Sequence, residues 1–453
     1  MKRKIVKLLC LIMSVFMLFG MCACAGGGGG SDLIIAHKQE PAEAILTRKL
    51  INAFTAKKKA QGQEVEIKTF EISTGSYKSD ITKQNASKTM ADIYHSDDQL
   101  APTWAKLGVF ENLDPYFARS NFDFTLYDDK AFDAAKVYNG NIYYAPRTYD
   151  QPVVIVNVDF FDYYGVEVPT EDGWNWTKLV QTCDALRKAI DAKENINERE
   201  VLFPMDCCLS WQPIYSTFVK AFGGYIIDGE NKTFGLNQPE AIAAFTKIKE
   251  LIVNKYFNRP SGAGYFTNGK SGMYIMSRAA VANLEANGTT NVKFLPYPVF
   301  DAEYLGASQD KGIMPYGASG YAMTASSKNK DLAWEFILFT LSEEAQNIMG
   351  ANGTSVPVIK SLQTSADAAW RTQIEIIKDV NQDAFIFPDA FASKYERVLG
   401  NFGKGITPEK EDTLYTNLKQ LINAIDSAAY LNESVEVFCN DMQRDLATAM
   451  GSF

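Results

Sequence analysis

Near its start this chain alternates short apolar runs with longer amphipathic ones, and no other feature constrains the fold as much. Residues 32–37 (DLIIAH) are an apolar run of strand length. Residues 41–57 carry Ala44, Ile45, Leu50, Ile51 and Phe54 close to helical period. Residues 65–70 (VEIKTF) alternate as a half-buried strand does. Residues 77–87 are polar and helical, and residues 91–95 (ADIYH) make a third strand running into Ser96, Asp97 and Asp98. A helix follows through Leu107, with Gly108 as its cap. Strands spaced by helices in this way are covered on their faces, which predicts an α/β architecture.

The same reading continues downstream. A turn at residues 138–141 (YNGN) links two strands, and residues 142–146 and 153–157 are extended, with a polar loop expected over 147–151. Residues 174–177 (WNWT) open a helix carrying Leu179, Val180, Cys183 and Leu186. Further helices are expected over 212–222, 239–254, 330–349 and 412–431. There is no internal repeat, and the one low-complexity segment is the run of five glycines at 26–30.

The first thirty residues are not part of this pattern. Residues 1–7 (MKRKIVK) are basic and 8–19 apolar, as in a secretory signal, and the apolar run is short for a membrane span. Small Ala23 directly before Cys24 resembles a bacterial lipobox, which predicts a signal peptide over 1–23 and Cys24 as the lipidated first residue. Cys22 fits less well because bulky Met21 would sit at the cut. Residues 24–31 then read as a lipidated cysteine and flexible glycine tether, since glycine runs bury no apolar surface.

Composition excludes several classes. Among 453 residues, 46% are apolar and 22% charged, which argues against disorder and against a multi-span membrane protein. The net charge of −9 and the lack of a basic stripe argue against nucleic acid as a partner. The signal removes Lys2, Arg3, Lys4 and Lys7, leaving a still more acidic body that would not lie flat on an anionic membrane, so contact with the membrane is expected through the lipid anchor only. Two histidines, His37 and His95, without metal-ligand spacing, predict no metal and no cofactor. Cys183, Cys207, Cys208 and Cys439 remain as buried thiols or as one or more bridges, with a Cys207–Cys208 bridge the least expected.

The order of several short motifs resembles the extracellular solute-binding proteins of bacterial ABC importers, the family that includes the maltose-binding protein. The motifs are 91–93 (ADI), 107–114 (LGVFENLD), 141–146 (NIYYAP) with 156–161 (VNVDFF), and 165–169 (GVEVP) with Trp176. Then come 266–273 (FTNGKSGM), 296–298 (PYP), 320–323 (GYAM) and 327–336 (SKNKDLAWEF), so the match runs from about Leu33 to about Lys360. Ala91 stands where the family has a proline. The resemblance implies an α/β, two-lobed periplasmic-binding-protein-like (type II) fold with a hinge and an interlobe cleft. Lobe 1 would take 32–147 and 314–355, lobe 2 would take 148–313, and the helical segment 356–453 would lie mostly on lobe 2. Hinges are expected near 144–153 and 314–320. A small-molecule solute, a sugar above all, and the permease subunits of an ABC transporter are the implied partners of a monomer.

Ligands of open α/β sheets sit outside the carboxyl ends of strands, so the loops there supply the candidates. Gln39 and Glu40 follow the first strand, and His95, Asp97 and Asp98 end the third. Tyr149 and Asp150, with Arg147 and Gln151 beside them, lie in the expected crossover loop. Trp211 opens a second-lobe helix and offers a flat face for the C–H surface of a sugar. Ser277 and Arg278 follow the strand at 273–276, and Arg278 is a candidate clamp for a carboxylate or for several hydroxyls, or else the partner of an acid at the surface. Tyr316, Gly317 and Ser319 precede the strand that returns to lobe 1, and glycine there permits close backbone approach. Trp104 is a further cleft candidate, while Trp174, Trp176 and Trp334 read as core.

Three readings compete. The first is capture of a neutral carbohydrate, an oligosaccharide, for an importer. The second is a charged solute: a uronate or phosphate ester held by Arg147 and Arg278, or a polyamine held by Asp97, Asp98, Asp150 and Glu40. The third is a secreted glycan-cleaving enzyme with Asp97–Asp98 or Asp159–Asp162 as its carboxylate pair, which lacks any recognisable catalytic motif.

Overall fold

β1 (Leu33–Lys38) lies between two parallel neighbours, β2 (Ile67–Ile72) on one side and β3 (Ile93–Asp97) on the other. The computed structural model describes residues 32–193, 202–228, 231–259, 264–304, 314–386 and 408–451. Side chains at 149, 150, 408, 409, 411, 412 and 415 lie outside that description, as do the expected signal, Cys24 and the glycine tether.

The chain crosses between two sheets at Gln151-Pro152. On one side of it is β4 (Ala145–Asp150), on the other β5 (Val153–Asn157). β6 (Phe203–Asp206), β7 (Ser271–Met276) and β8 (Val292–Pro296) complete the second sheet, whose order is β8-β5-β7-β6. The chain then returns as β9 (Gly317–Met323), which inserts antiparallel between β3 and β4 and gives the first sheet the order β2-β1-β3-β9-β4. Both sheets are mixed, and each has its own core. In the first lobe Phe54 of helix Pro41–Ala60 packs edge-on against Phe336, and Phe117 against Trp334. In the second, fully buried Trp176 meets Phe218, Tyr297 and Phe300.

Three expectations are corrected. Residues 147–150 are strand, not loop, because they pair with β9, which lies far along the chain. The expected helix 330–349 is two helices, Lys330–Thr340 and Glu343–Ala351, because Ser342 caps the second by accepting from the Ala345 N–H at 3.3 Å. The expected helix 412–431 is Pro408–Asn423, followed by a 3-10 turn at Ala424–Asp426. None of the four described cysteines is bridged to another.

The segment after β9 touches both lobes. Ile359 bridges to Tyr127 in the first, whereas Phe438 of helix Val435–Met450 packs on Phe245 of helix Pro239–Val253 in the second. At the return crossing, β9 runs so close to β4 that a Cβ on Gly320 would lie 1.8 Å from the Ala145 carbonyl oxygen. Only glycine fits that contact.

Candidate functional site

Between the lobes lies a cavity of about 600 Å³, walled by strand ends from both sheets. Lys38 at the end of β1, Glu40 just after it and Glu43 in the first turn of helix Pro41–Ala60 line one side, and the end of β3 contributes His95, Asp97 and Asp98. Arg147 and Thr148 of β4 and the crossing residues Gln151 and Pro152 form the back. The second lobe supplies Trp211, Pro213, Ser277 and Asn283, and the return crossing brings Tyr316, Gly317 and Ser319.

The polar wall is built on two ion pairs. Arg147 donates Nη1 to Glu43 Oε1 at 2.7 Å and Nη2 to Glu43 Oε2 at 2.6 Å, and Nη1 also to the Tyr321 hydroxyl at 3.1 Å. Burial alone would raise the Glu43 carboxyl, but the Arg147 guanidinium and its neighbours outweigh it and hold the group well below the ordinary carboxylate range. In the second pair, Lys38 Nζ meets Asp97 Oδ2 at 3.1 Å, with both side chains about a fifth exposed (21% and 20%). Burial opposes each charge there too, and the partner's opposite charge overcomes it, raising Lys38 and lowering Asp97. Asp97 Oδ1 also accepts from the backbone N–H of Gln99 and Leu100, fixing the loop.

His95 lies among these groups. Its Nδ1 is 4.0 Å from Glu43 Oε1, too far for a hydrogen bond, and neither ring nitrogen has a hydrogen-bond partner. Burial first, and the Arg147 charge second, pull the imidazole down to about 3, so it is uncharged at neutral pH.

Opposite this wall, Trp211 sits at the N-cap of helix Gln212–Ala221 with Pro213 in the first turn, which fixes where the helix starts and leaves the indole half-buried in the cleft. Tyr316 is a second aromatic lining residue.

The structure brings together Glu40, His95, Asp97, Asp98, Trp211, Tyr316 and Gly317. Gln39 is exposed and outside the cavity wall, its backbone N–H donating to Ile72 O at 2.7 Å. Tyr149 and Asp150 place their backbone opposite Ala318 and Gly317, and their side chains lie outside the described residues. Arg278 does not line the cavity. The 3-10 turn Arg278–Asn283 directs it into the protein, where Nη2 donates to Trp370 O at 2.5 Å and the guanidinium lies over the Trp370 and Phe385 rings. Burial and the nearby Arg371 charge lower it to about 9. Trp104 is likewise buried in the first lobe and absent from the cavity wall. Sequence reasoning missed Lys38 and Glu43. An acid in the first turn of a helix that starts just after a strand end was the available signal for Glu43.

One carboxylate of each pair nominated from the sequence as catalytic is engaged elsewhere. Asp97 is ionised and ion-paired, and Asp159 is a surface acceptor for Asn291 Nδ2 at 2.6 Å. Among the described residues no acidic, cysteine and histidine cluster suits a metal ion, and no helix is long and apolar enough to cross a membrane.

Two mixed sheets, a double crossing and a polar cleft with aromatic surfaces define a two-lobed binding protein of the periplasmic-binding-protein fold. The chain belongs to the bacterial extracellular solute-binding protein family, whose model matches residues 49–376. Proteins of this family bind small solutes and are not enzymes. Among solved structures, an ABC substrate-binding protein from Listeria monocytogenes in complex with cycloalternan is similar at TM-score 0.70 and 18% identity, over 93% of this chain and 99% of that one. UgpB from Mycobacterium tuberculosis in complex with glycerophosphocholine is similar at TM-score 0.71 and 18% identity, over 93% and 98%. Maltose-bound MalE3 of T. maritima is similar at 0.65 and 16%, over 92% and 99%. Likeness at such identities speaks for the fold.

Proposed function

We propose that this protein captures a carbohydrate, an oligosaccharide in particular, between its lobes and hands it to the permease of an ABC importer. The observation that carries the reading is the cleft itself, where Trp211 of the second lobe and Tyr316 of the return crossing stand with the polar wall of the first lobe. A sugar has apolar C–H faces that suit the rings and hydroxyls that both donate and accept, which suit the wall. Binding partners of this kind are present in the Listeria and Thermotoga neighbours, with cycloalternan and maltose. Hinged closure about Gln151-Pro152 and the return crossing would bury the solute, to the extent that it binds the closed state more tightly than the open one. The protein acts as a monomer held at the outer face of the cell membrane through lipidated Cys24, the lobe boundaries falling where the chain crosses between the sheets.

A thermal-shift screen over mono- and oligosaccharides tests the solute class, because a ligand of the folded state raises the Tm by mass action. A sugar that raises the Tm and is recovered unchanged supports the reading. Turnover of that sugar, or silence across the screen, sinks it. Loss of membrane retention on Cys24→Ala tests the anchor.

A further inference from the structure

The second lobe brings one short turn to the cleft, the 3-10 turn Arg278–Asn283, with the sequence RAAVAN and Ser277 at its N-cap. Ser277, Ala279 and Asn283 line the cavity. The turn is held from behind. Arg278 is fully buried and donates Nη2 to Trp370 O at 2.5 Å, and Val281 and Leu284 are buried in the core. Its far end is also tied down, because the Asn287 N–H donates to Asn283 O at 3.1 Å. Neither polar side chain that this turn gives to the cavity is used up within the fold. A serine at an N-cap ordinarily accepts from the first turn, but the Ser277 hydroxyl makes no capping bond. The Asn283 side chain is exposed at the cavity edge and makes no hydrogen bond among the described residues. In the first lobe, by contrast, Arg147 and Glu43 hydrogen-bond each other, as do Lys38 and Asp97.

We propose that Asn283 is a specificity-determining residue of the cleft, whose side-chain amide holds a pair of adjacent hydroxyls on the solute. The inference rests on the carbohydrate reading and deepens it: the solute presents two unsubstituted hydroxyls on neighbouring carbons to the second lobe. An amide donates through its NH2 and accepts at its carbonyl oxygen, so one hydroxyl accepts from it while the next donates to it. Ala279, which shares the wall with Asn283, is small enough to leave the solute room. Because Arg278 anchors the turn, the amide is presented from a fixed backbone, and binding has little ordering left to supply. Once closure removes water, a solute without the hydroxyl pair leaves the amide unpaired, and a hydrogen-bonding site rejects close analogues in this way.

Calorimetry on the whole protein tests it. The probes are the sugars that raise the Tm, beginning with glucose and maltose, then their monodeoxy congeners, and ribitol. Asn283→Ala should weaken the best-bound sugar by about fivefold or more at an unchanged unliganded Tm. The deciding readout is the double-mutant cycle between protein and sugar. A monodeoxy congener that costs the wild type about fivefold or more, but costs Asn283→Ala less than about twofold, supports the contact. Equal losses in both proteins at every deoxy position overturn it. Should Asn283→Ala lower the unliganded Tm, Asn283→Leu repeats the cycle with a side chain of similar length. If every sugar is silent the carbohydrate reading fails, and ribitol, a chain of adjacent hydroxyls, still decides the role of the amide. Ribitol held about fivefold less tightly by Asn283→Ala supports that role, and equal binding, or none, overturns it.

Discussion

Arg147 and Glu43 share a two-pronged ion pair, with nitrogen–oxygen distances of 2.7 and 2.6 Å, that ties β4 to the first turn of helix Pro41–Ala60 beneath the cleft. Both side chains are nearly out of water, with 5% and 7% exposure, so neither charge has a solvent alternative. Removing one partner leaves the other charge buried and uncompensated. Glu43→Gln should therefore cost about 3–5 kcal/mol in chemical denaturation. The double variant Glu43→Leu with Arg147→Met should recover much of it. A single variant within about 1 kcal/mol of the wild type would show that the pair does not hold this wall.

Acid should destabilise the protein in two stages. His95 falls from 6.5 to about 3 on folding, so between those values the unfolded chain binds a proton that the folded one refuses. Its contribution is present above pH 6.5 and is lost as pH falls, at a slope of up to about 1.4 kcal/mol per pH unit. Glu43, lowered from 4.5, adds a loss that begins only below that value. Urea midpoints measured from pH 7 to pH 4 should decline from about pH 6.5, and His95→Gln should remove the upper part of the decline. A flat profile down to pH 5 contradicts the buried neutral imidazole.

Trp211 is half-buried in the cleft at a helix N-cap where its side chain makes no capping bond. Trp211→Ala should weaken sugar binding several-fold or more while leaving the fold intact, since an aromatic platform contributes about 0.5–1.5 kcal/mol beyond its area. Calorimetry with the best sugar of the screen, alongside a melting curve, reads both. Unchanged affinity with an intact fold takes Trp211 out of the site.

Gly320 lies at a close approach of β9 and β4, where a methyl group would overlap the Ala145 carbonyl. Gly320→Ala should force the strands apart beside Arg147 and cost at least about 2 kcal/mol. A melting temperature equal to that of the wild type would mean that the strands yield freely there.

How far the sequence carried the reading differs from one residue to the next. Helix Tyr77–Ser87 is found where its polar, helical pattern put it, because its signal is local. Glu40, His95, Asp97 and Asp98 were findable for the same kind of reason: they end strands whose apolar runs are visible, and strand ends are where such sheets bind. Residues 147–150 read as loop because their strand character comes from pairing with residues 317–321, which no local window contains.

By itself, then, the chain determined the α/β alternation, the family, and the strand ends that surround a cleft, all of which follow from short-range pattern. Tertiary structure decided which charges survive there. Arg278 was turned inward by a 3-10 turn onto the Trp370 carbonyl, and Arg147 was neutralised by Glu43, a residue more than a hundred positions earlier. Charge pairing across such separations depends on where the fold brings distant segments together, and periodicity along one chain carries no record of it.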